Sequence, residues 1–460
     1  MKFLKPLAFL GVILMFGCQP KEKAPPNVLF ICIDDLNDWT GFMGGHPDAK
    51  TPRLDQLASE SVVFSRAFCP APACNPSRAS IMTGIRPSTS GVYYNPHPWR
   101  KSPVLKDIMT LPQYFREQGY VVKGSGKTYH GAFPDSASWD EYWPSLTQQK
   151  PPDPMPENRP LNGIPNTAHF DWGPVDVAKE EMGDWQVADW VIGQLGREHD
   201  KPFFLACGFF RPHLPWYVPQ EYFDRFPLDE ISLPVVMEND TADIPDAGKA
   251  LIKFRDHENV TKYEQWTKAV QGYLASGNFV DECVGRVVDA LENSKHKDNT
   301  IIVLWSDHGW NLGEKQHWRK FALWENTTRT IFMVKVPGMA GNSSVCSTPV
   351  NLLDVYPTLI ELCGLPPNPK NEGTSVVPLL ESPDRNWETA SVTTHGKDKH
   401  AVRLRNWRYI QYDDGSQELY NLQEDPNEWT NLAQDPQYEN IILELKNHLP
   451  QINVEPIPRN

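Results

Sequence analysis

The chain has 460 residues, of which 40% are hydrophobic and 22% charged, a composition that excludes a largely disordered protein and suits one large α/β core with a smaller unit. Acidic residues outnumber lysine and arginine by 58 to 44, so the formal net charge is −14. This balance argues against nucleic acid as a partner, because phosphate binding needs a basic surface. A polyanionic substrate would have to be attracted locally, by a few cations or a metal in one cleft.

The first 18 residues have the form of a bacterial lipoprotein signal peptide. Two lysines precede an apolar run at residues 7–16, which is too short to span a bilayer as a helix, and Cys18 follows where cleavage should occur. The pattern predicts a lipidated Cys18, a tether at residues 19–26, and a location on the outer membrane, at its periplasmic face or at the cell surface. The lipid would then be the only membrane contact. An ordinary secretory signal with an incidental cysteine is the alternative.

The apolar run from Asn27 to Ile33 predicts a strand that is covered on both faces of a parallel sheet. Asp34 and Asp35 follow it directly. Ligands bind at the carboxyl ends of strands in open α/β sheets, and hard oxygen donors suit Ca²⁺ or Mg²⁺. The two carboxylates therefore predict a metal site, with a solvated turn as the alternative.

Residues 69–84 place a cysteine before Asn-Pro-Ser-Arg and a run that is typical of a helix. Pro76 suits the first helical position, so Cys74 is predicted at or just before a helix N-terminus. Backbone N–H groups and the helix dipole favour an anion or an activated nucleophile there. Arg78 could reach the same point with a planar cation. A small buried thiol or half of a disulfide is the alternative for Cys74.

Three later loops carry further candidate groups. Lys127 and His130 lie three residues apart in a glycine-flanked loop, and His213 follows a buried strand predicted at residues 201–210. Asp307 and His308 follow another apolar strand, beginning at Thr300. The carboxyl ends of parallel strands meet at one edge of a sheet, so His213, Asp307 and His308 are expected to converge with the first two aspartates.

Together these motifs resemble the type I sulfatase family. Its signature, Cys-x-Pro-Ser-Arg followed by Thr-Gly-x-Arg-Pro, fits Cys74 to Arg78 and Thr83 to Pro87, and the resemblance extends from about residue 27 to residue 432. Order and spacing are most similar to the iduronate-2-sulfatase-like branch. The resemblance implies an alkaline-phosphatase-like α/β sandwich, with a large, mostly parallel sheet flanked by helices in residues 27–365. It also implies a small C-terminal α+β subdomain with an antiparallel sheet in residues 366–460.

The resemblance implies a sulfuric ester hydrolase. Cys74 would be oxidised to formylglycine (3-oxoalanine) by a formylglycine-generating or anaerobic sulfatase-maturating enzyme, and its hydrated aldehyde would attack the sulfur of a sulfate ester. One Ca²⁺ would be held by Asp34, Asp35, Cys74, Asp307 and His308. The implied catalytic residues are Cys74, Arg78, Lys127, His130, Lys320 and His213, the last as proton donor. The implied substrate contacts are Lys127, His213 and Lys320. The chain departs from the family's Leu-Gly-Glu-His-Gly at residues 315–317, and His317 and Arg319 are expected as local substrate contacts.

The expected substrate is a sulfated oligo- or polysaccharide, either an algal polymer such as ulvan or carrageenan, or a glycosaminoglycan. Additional sugar contacts are expected among His97, Trp99, Arg100, Arg211 and Trp216. One alternative is a phosphomonoesterase, phosphodiesterase or phosphonate hydrolase of the same fold, many of which use serine or threonine with two zinc ions. Another is a non-catalytic glycan-binding lipoprotein, which would be expected to lack Cys74, Arg78 or a metal carboxylate.

The eight cysteines include Cys18, so an odd number remains for the exported chain. Cys32 and Cys207 lie in apolar runs and are predicted to be core residues. Four others could form disulfides, in a pairing that the sequence does not specify: Cys69, Cys283, Cys346 and Cys363.

Overall fold

The computed structural model describes residues 24–167 and 169–459. The predicted lipid anchor at Cys18 lies outside the described residues. The strands are β1 (Asn27–Ile33), β2 (Val62–Phe64), β3 (Ala67–Phe68), β4 (Val121–Gly126), β5 (Glu141–Trp143), β6 (Trp172–Val175), β7 (Phe203–Phe209), β8 (Trp216–Pro219), β9 (Thr300–Ser306), β10 (Asn311–Leu312), β11 (Trp318–Arg319), β12 (Arg329–Thr330), β13 (Phe332–Lys335), β14 (Ser344–Cys346), β15 (Val350–Asn351), β16 (Ser391–Thr394), β17 (His400–Leu404), β18 (Trp407–Gln411) and β19 (Gln417–Asn421).

The helices are α1 (Pro52–Ser59), α2 (Cys74–Thr83), α3 (Pro87–Ser90), α4 (Leu111–Glu117), α5 (Gly183–Leu195), α6 (Gln220–Phe223), α7 (Asp246–Lys249), α8 (Phe254–Lys262), α9 (Trp266–Glu292), α10 (Glu325–Thr328), α11 (Val355–Leu362), α12 (Val377–Glu381) and α13 (Glu439–Lys446). Within the described ranges, none of these helices combines the length and the apolar character needed to cross a membrane.

The central sheet has eight strands in the order β14-β2-β13-β9-β1-β7-β4-β5. Only β13 is antiparallel to its neighbours, so the sheet is mixed but mostly parallel. Ile33 lies opposite Phe209 of β7 and Ser306 of β9, so the three strands end at the same level. Asp34 and Asp307 therefore emerge side by side, and the predicted convergence of strand ends is confirmed.

Alternate residues of β1 pack into two different helical layers. Leu29, Ile31 and Ile33 join a core that includes α5 and α9. Val28, Phe30 and Cys32 join a second core that includes α2, α4 and α11. Every residue of β1, β7 and β9 is buried, as their continuous apolar sequences predicted.

The sequence also predicts helices over residues 177–197, 261–293 and 350–363, from their apolar spacing, and the structure differs from each prediction in its bounds. The helix expected over residues 261–293 is two helices, α8 and α9, separated at Glu264, whose φ of 52° is incompatible with a continuous helix. The helix expected over residues 350–363 begins only at Val355, because Val350 pairs with Ala67 in a short sheet. The helix expected over residues 177–197 is restricted to α5.

The C-terminal part forms a four-stranded antiparallel sheet in the order β16-β17-β18-β19, as expected. A buried ionic cluster joins it to the larger part of the molecule, since Glu325 of α10 accepts hydrogen bonds from Arg403 and Arg408. The end of β16 also contacts the loop that leads into α2, where the Thr393 hydroxyl donates to the Cys69 carbonyl at 2.5 Å. The C-terminal sheet therefore reaches the neighbourhood of Cys74.

All cysteines within the described residues are free and buried. The disulfides considered for Cys69, Cys283, Cys346 and Cys363 are therefore absent from this part of the chain. Cys32 and Cys207 are core residues, as predicted.

Candidate active site

Cys74 is the first residue of α2, preceded by Ala73 in an extended conformation. The prediction of a cysteine at a helix N-terminus is confirmed, although Pro76 is the third helical residue rather than the first. All ten residues of α2 are buried, and the Ser77 hydroxyl donates to the Asp307 carbonyl at 2.6 Å. This bond fixes the start of the helix against the end of β9.

Arg78 links the ends of the central strands. Its side chain is fully buried, with Nε donating to Asp307 at 2.9 Å and Nη2 donating to Asp34 at 3.1 Å. Nη1 donates to the backbone carbonyls of Lys127 and Thr128. Burial alone would lower the pKa of the guanidinium, but Asp307 and Asp34 hold that pKa well above its usual value. Arg78 is thus a permanent cation enclosed by carboxylates and carbonyls.

Two lysines complete the charge balance of the site. Lys127 Nζ forms an ion pair with Asp34, and Lys320 Nζ donates to Asp35 at 2.6 Å and to Cys74 Sγ at 2.8 Å. Burial opposes the charge of Lys320, but Asp35 and its neighbours raise the pKa of the ammonium above its usual value. Asp34 likewise has a pKa well below its usual value, because Lys127 and its other cationic neighbours outweigh the effect of burial.

Asp35 lacks a full set of partners among the described residues. Its φ is 61°, a strained value for aspartate, and its buried Oδ2 forms no hydrogen bond with any described residue. Burial, with repulsion from Asp34 and Asp307, raises the pKa of this carboxyl to about 7, despite the opposing charge of Lys320. A cation bound at Oδ2 would relieve both the missing contact and the repulsion.

The surrounding donors fit a divalent metal ion. Potential ligand atoms lie within 4.8 Å of one another in two overlapping groups, which are Asp34, Asp35, Cys74 and His213, and Cys74, Asp307 and His308. His308 is oriented as metal-binding histidines usually are, because Nδ1 lies 3.0 Å from the Gly309 carbonyl and Nε2 faces Cys74 Sγ at 3.4 Å. Burial lowers the pKa of His308 to about 4, which leaves Nε2 free to bind a metal.

Two further histidines lie beside these carboxylates. His213 places Nε2 3.9 Å from Asp35 Oδ2, while its Nδ1 donates to the Leu214 carbonyl at 2.7 Å. Burial, reinforced by Lys127, lowers the pKa of His213 well below its usual value and that of His130 to about 3. Both rings are therefore neutral near pH 7 before a substrate binds. The buried Nδ1 of His130 has no partner among the described residues.

The Cys74 thiol is not activated by these surroundings. Burial and the nearby Asp34 carboxylate raise its pKa well above the usual value, although Lys320 and Lys127 oppose them. Nucleophilic cysteines instead have a depressed pKa, because the thiolate is the reactive form. The geometry at Cys74 is that of a nucleophile position, but an unmodified thiol is poorly suited to it.

His317 does not contact the cleft, contrary to the expectation that it binds substrate. Its side chain is fully buried, Nδ1 accepts from the Lys253 N–H at 3.1 Å, and Nε2 donates to the Lys320 carbonyl at 3.0 Å. Both ring nitrogens are therefore occupied by backbone groups. The geometry is that of a residue that positions Lys320.

Arg319 lies in the same turn with a φ of 73°. Asp256 accepts from its Nε at 2.6 Å and from its Nη2 at 3.2 Å, and its guanidinium lies 4.4 Å from the centre of the Phe170 ring. The side chain remains partly exposed, so substrate contact stays a prediction, but its charge is already paired.

The additional sugar contacts expected from the sequence are mostly buried. His97, Trp99, Arg211 and Trp216 are each no more than 1% exposed, which leaves them no surface to offer to a sugar. Arg100 is partly exposed and pairs with Asp135. Three residues that sequence reasoning missed lie near the cleft instead, and they are Tyr94, Phe321 and His395. Phe321 could have been found from its position directly after Lys320, whereas no sequence signal indicated His395.

The mixed sheet between helical layers, with carboxylates, buried cations and a helix N-terminus at its strand ends, is the arrangement of a hydrolase for anionic esters, with donors that could hold a metal ion. Comparison with known proteins agrees. Residues 26–365 match the family described as Sulfatase, and residues 313–455 match the one described as N-sulphoglucosamine sulphohydrolase, C-terminal. A sulfatase from Formosa agariphila is 40% identical over 96% of this chain and 91% of its own length.

Mouse iduronate 2-sulfatase is 32% identical over 75% of this chain and 70% of its own length. Among solved structures, the phosphonate monoester hydrolase of Agrobacterium radiobacter superposes with a TM-score of 0.72 at 25% identity, covering 93% of this chain and 97% of that one. The chain therefore belongs to the sulfatase family, with its alkaline-phosphatase-like fold, and is a sulfuric ester hydrolase. The predicted family, fold class and enzyme class are confirmed.

Proposed function

We propose that the protein removes sulfate from a sulfated carbohydrate through a formylglycine made from Cys74. The observation that carries this proposal is the position of Cys74, at the N-terminus of α2 and within 3.4 Å of both Lys320 Nζ and His308 Nε2. Its raised pKa argues against the unmodified thiol as the nucleophile, since the thiolate is the reactive form. A formylglycine-generating or anaerobic sulfatase-maturating enzyme is the partner required for the conversion.

In the proposed mechanism, the aldehyde hydrate of formylglycine would supply the nucleophilic oxygen, and a divalent cation held by the carboxylates and His308 would polarise a sulfate oxygen. Lys320 holds the nucleophile position, as its 2.8 Å contact with Cys74 Sγ indicates. Arg78 and Lys127 set the positive potential into which the sulfate binds. The negative charge of a bound sulfate raises the pKa of the neighbouring His213, so that this residue, with His130 as second choice, can protonate the leaving oxygen.

We propose that the cation is a single Ca²⁺ held by Asp34, Asp35, Asp307, His308 and the modified residue 74. Hard carboxylate oxygens favour calcium over softer metals. Calcium at 100 times its dissociation constant would stabilise the protein by about 2.7 kcal/mol.

We expect calcium to raise the melting temperature of the chelator-treated protein and to restore its activity. Asp35→Asn should abolish that shift, because the unpartnered Oδ2 is the oxygen best placed for the ion. Asp189→Asn, a change at an exposed ion pair on α5, is the matched control and should retain the shift. Calorimetric melting curves with and without calcium measure both. An unchanged shift in Asp35→Asn would contradict the assignment of this ligand.

The carbohydrate substrate is supported by the family branch, since the mouse relative is named for iduronate, a sugar acid. Algal polymers such as ulvan or carrageenan, and glycosaminoglycans, are the proposed sources. Arg78, Lys127 and Lys320, which would bind the sulfate ester, lie together at one edge of the sheet. They would provide a local attraction for an anionic substrate in a protein whose net charge is −14. The test is sulfate release from a panel of these sulfated oligosaccharides by protein matured with a formylglycine-generating enzyme. No release from any of them would refute the proposal.

A phosphonate monoester hydrolase is the second candidate, favoured by the superposition on the Agrobacterium radiobacter enzyme. Its structure covers almost the whole chain, but at lower identity than the sulfatase relative. Phenylphosphonate monoesters tested beside sulfate esters discriminate the two. A higher kcat/KM for the phosphonate would favour the second candidate.

His317→Leu is expected to lower kcat/KM for sulfate release by roughly 100-fold, a typical cost of displacing a group that acts on the reacting atoms. The change removes the bond to the Lys320 carbonyl. His317→Gln should recover part of the loss, because its amide can donate to the same carbonyl. Steady-state kinetics of both variants, with His448→Leu at the C-terminal edge as control, give the measurement. Equal kinetics for His317→Leu and the unmutated enzyme would remove the positioning role.

We also propose that Cys18 anchors the mature protein to the outer membrane, with residues 19–26 as tether, a catalytic domain over residues 27–365 and a subdomain over residues 366–460. The apolar segment ahead of Cys18 supports this. Replacing Cys18 with serine should move the protein from the membrane fraction to the soluble fraction. Retention in the membrane fraction would rule out the lipid anchor.

A further inference from the structure

An aromatic cluster, in which two rings are partly exposed and one is buried, lies beside the loop that leads into α2, where the C-terminal sheet docks. It consists of the rings of Tyr94, Phe321 and His395 and is called the aromatic wall below. The His395 ring lies 5.7 Å from that of Tyr94, nearly perpendicular to it, and 6.2 Å from that of Phe321. The three residues come from distant parts of the chain, so only the tertiary structure assembles the wall.

Two backbone hydrogen bonds and one from the Asn75 side chain hold the aromatic wall against the residues that flank Cys74. Phe321 also follows Lys320, whose ammonium contacts Cys74 Sγ. The bonds are Thr394 N to Pro70 O at 2.9 Å, Phe321 N to Pro72 O at 3.1 Å, and Asn75 Nδ2 to Tyr94 O at 3.2 Å. The wall is therefore fixed next to the nucleophile position.

His395 is a buried polar side chain without a partner. The residue is only 7% exposed, and its buried Nδ1 forms no hydrogen bond with any described residue. Burial, with Lys399 and Lys253 nearby, lowers the pKa of His395 to about 3, so the ring is neutral and offers one donor and one acceptor. Buried polar atoms are normally paired, and an unpaired one points to a partner supplied by a ligand or by water.

Lys253 adds a positive charge at the edge of the wall. Its ammonium lies 5.8 Å from the centre of the Phe321 ring, and no carboxylate of the described residues lies within ion-pair distance of it. Two neighbouring cations are paired, Arg319 with Asp256 and Lys399 with Asp413, while the Arg459 guanidinium lies 5.6 Å from the centre of the Tyr94 ring. An unpaired lysine near the cleft of an acidic protein favours an anionic ligand.

We propose that the aromatic wall and Lys253 bind a sugar ring that carries a carboxylate or a second sulfate, adjacent to the ester that is hydrolysed. The inference rests on the proposed function and names the part of the substrate that this site selects. The aromatic faces pack against the sugar, a ring hydroxyl pairs with His395, and the anionic group meets Lys253. Binding sites for polar ligands commonly combine aromatic surfaces with a few such polar groups.

The test uses Cys74→Ala protein, which binds without turnover, titrated calorimetrically with defined oligosaccharides. The panel contains sulfated oligosaccharides with a uronate, singly sulfated ones without it, and doubly sulfated ones. Adding His395→Phe, which keeps a ring but removes both nitrogens, is expected to weaken binding at least tenfold. Lys253→Met should do the same. His199→Gln, at the opposite end of the sheet beside Phe203, is the matched control and should leave affinity within twofold.

The source of the negative charge follows from which ligands are affected. A Lys253→Met effect limited to uronates assigns a carboxylate, and one limited to doubly sulfated ligands assigns a second sulfate. Affinities within twofold of the parent in both variants, or no binding by any panel member, would overturn the inference. Sulfate release by matured, unmutated enzyme is measured in parallel. If the enzyme releases sulfate but both variants keep their affinity, only the binding role of the aromatic wall is overturned. If no sulfate is released, the proposed function is overturned, and the titrations alone decide whether the wall binds an anionic sugar.

Discussion

Cys74→Ala should lower sulfate release by roughly 10⁴-fold or more, the usual consequence of removing a catalytic nucleophile. The residue begins α2, and Lys320 and His308 both face its sulfur. No other described residue occupies that position, so the loss cannot be compensated locally. Release is measured with the best oligosaccharide substrate, after mass spectrometry has shown conversion of Cys74 in the unmutated enzyme.

The matched control is Cys69→Ala. Cys69 lies in the same loop, is also fully buried, and bonds Thr328 and Thr393 through its backbone. Its replacement should cost some stability but leave release nearly unchanged. If Cys74→Ala keeps more than about one hundredth of the activity of the unmutated enzyme, the role assigned to Cys74 is refuted, because that is well above the level expected without a nucleophile.

Arg78→Met is expected to reduce both activity and stability. Removing Arg78 from this buried ionic group leaves Asp307 without its cation and Asp34 with Lys127 alone, and breaking a buried pair typically costs about 3–5 kcal/mol. Activity should fall at least 100-fold or so, as for the loss of a preorganised donor. Arg78→Lys should also be impaired, because one ammonium cannot reproduce the forked contacts to two carboxylates.

Arg286→Met is the control for Arg78. Arg286 pairs with Asp189 near the surface, where an ion pair contributes less than about 1 kcal/mol. Urea unfolding and sulfate release are measured on all three variants. If Arg78→Met and Arg286→Met have the same free energy of unfolding, the ion pairs of Arg78 with Asp34 and Asp307 are not what stabilises the strand ends.

Motifs at the ends of buried strands were predictable because two local signals coincide there. Asp34 and Asp35 follow seven residues that are all buried, and Asp307 follows another such strand. A continuous apolar run predicts a covered parallel strand, and parallel strands place their carboxyl ends at one edge. Signals that depend on a single residue were less reliable, as Glu264 shows by dividing the helix expected over residues 261–293.

By itself the sequence determined the sulfatase family, the α/β class, and the carboxylates and cations that converge around Cys74. Each of these is encoded in a short contiguous motif. Only the tertiary structure decided that His317 supports Lys320 from a buried position, that the cysteines of the described residues are free, and that His395 lies beside Phe321. The reason is physical, since the packing of distant segments decides whether a histidine or a tryptophan is buried or faces a cleft, and no local pattern carries that information.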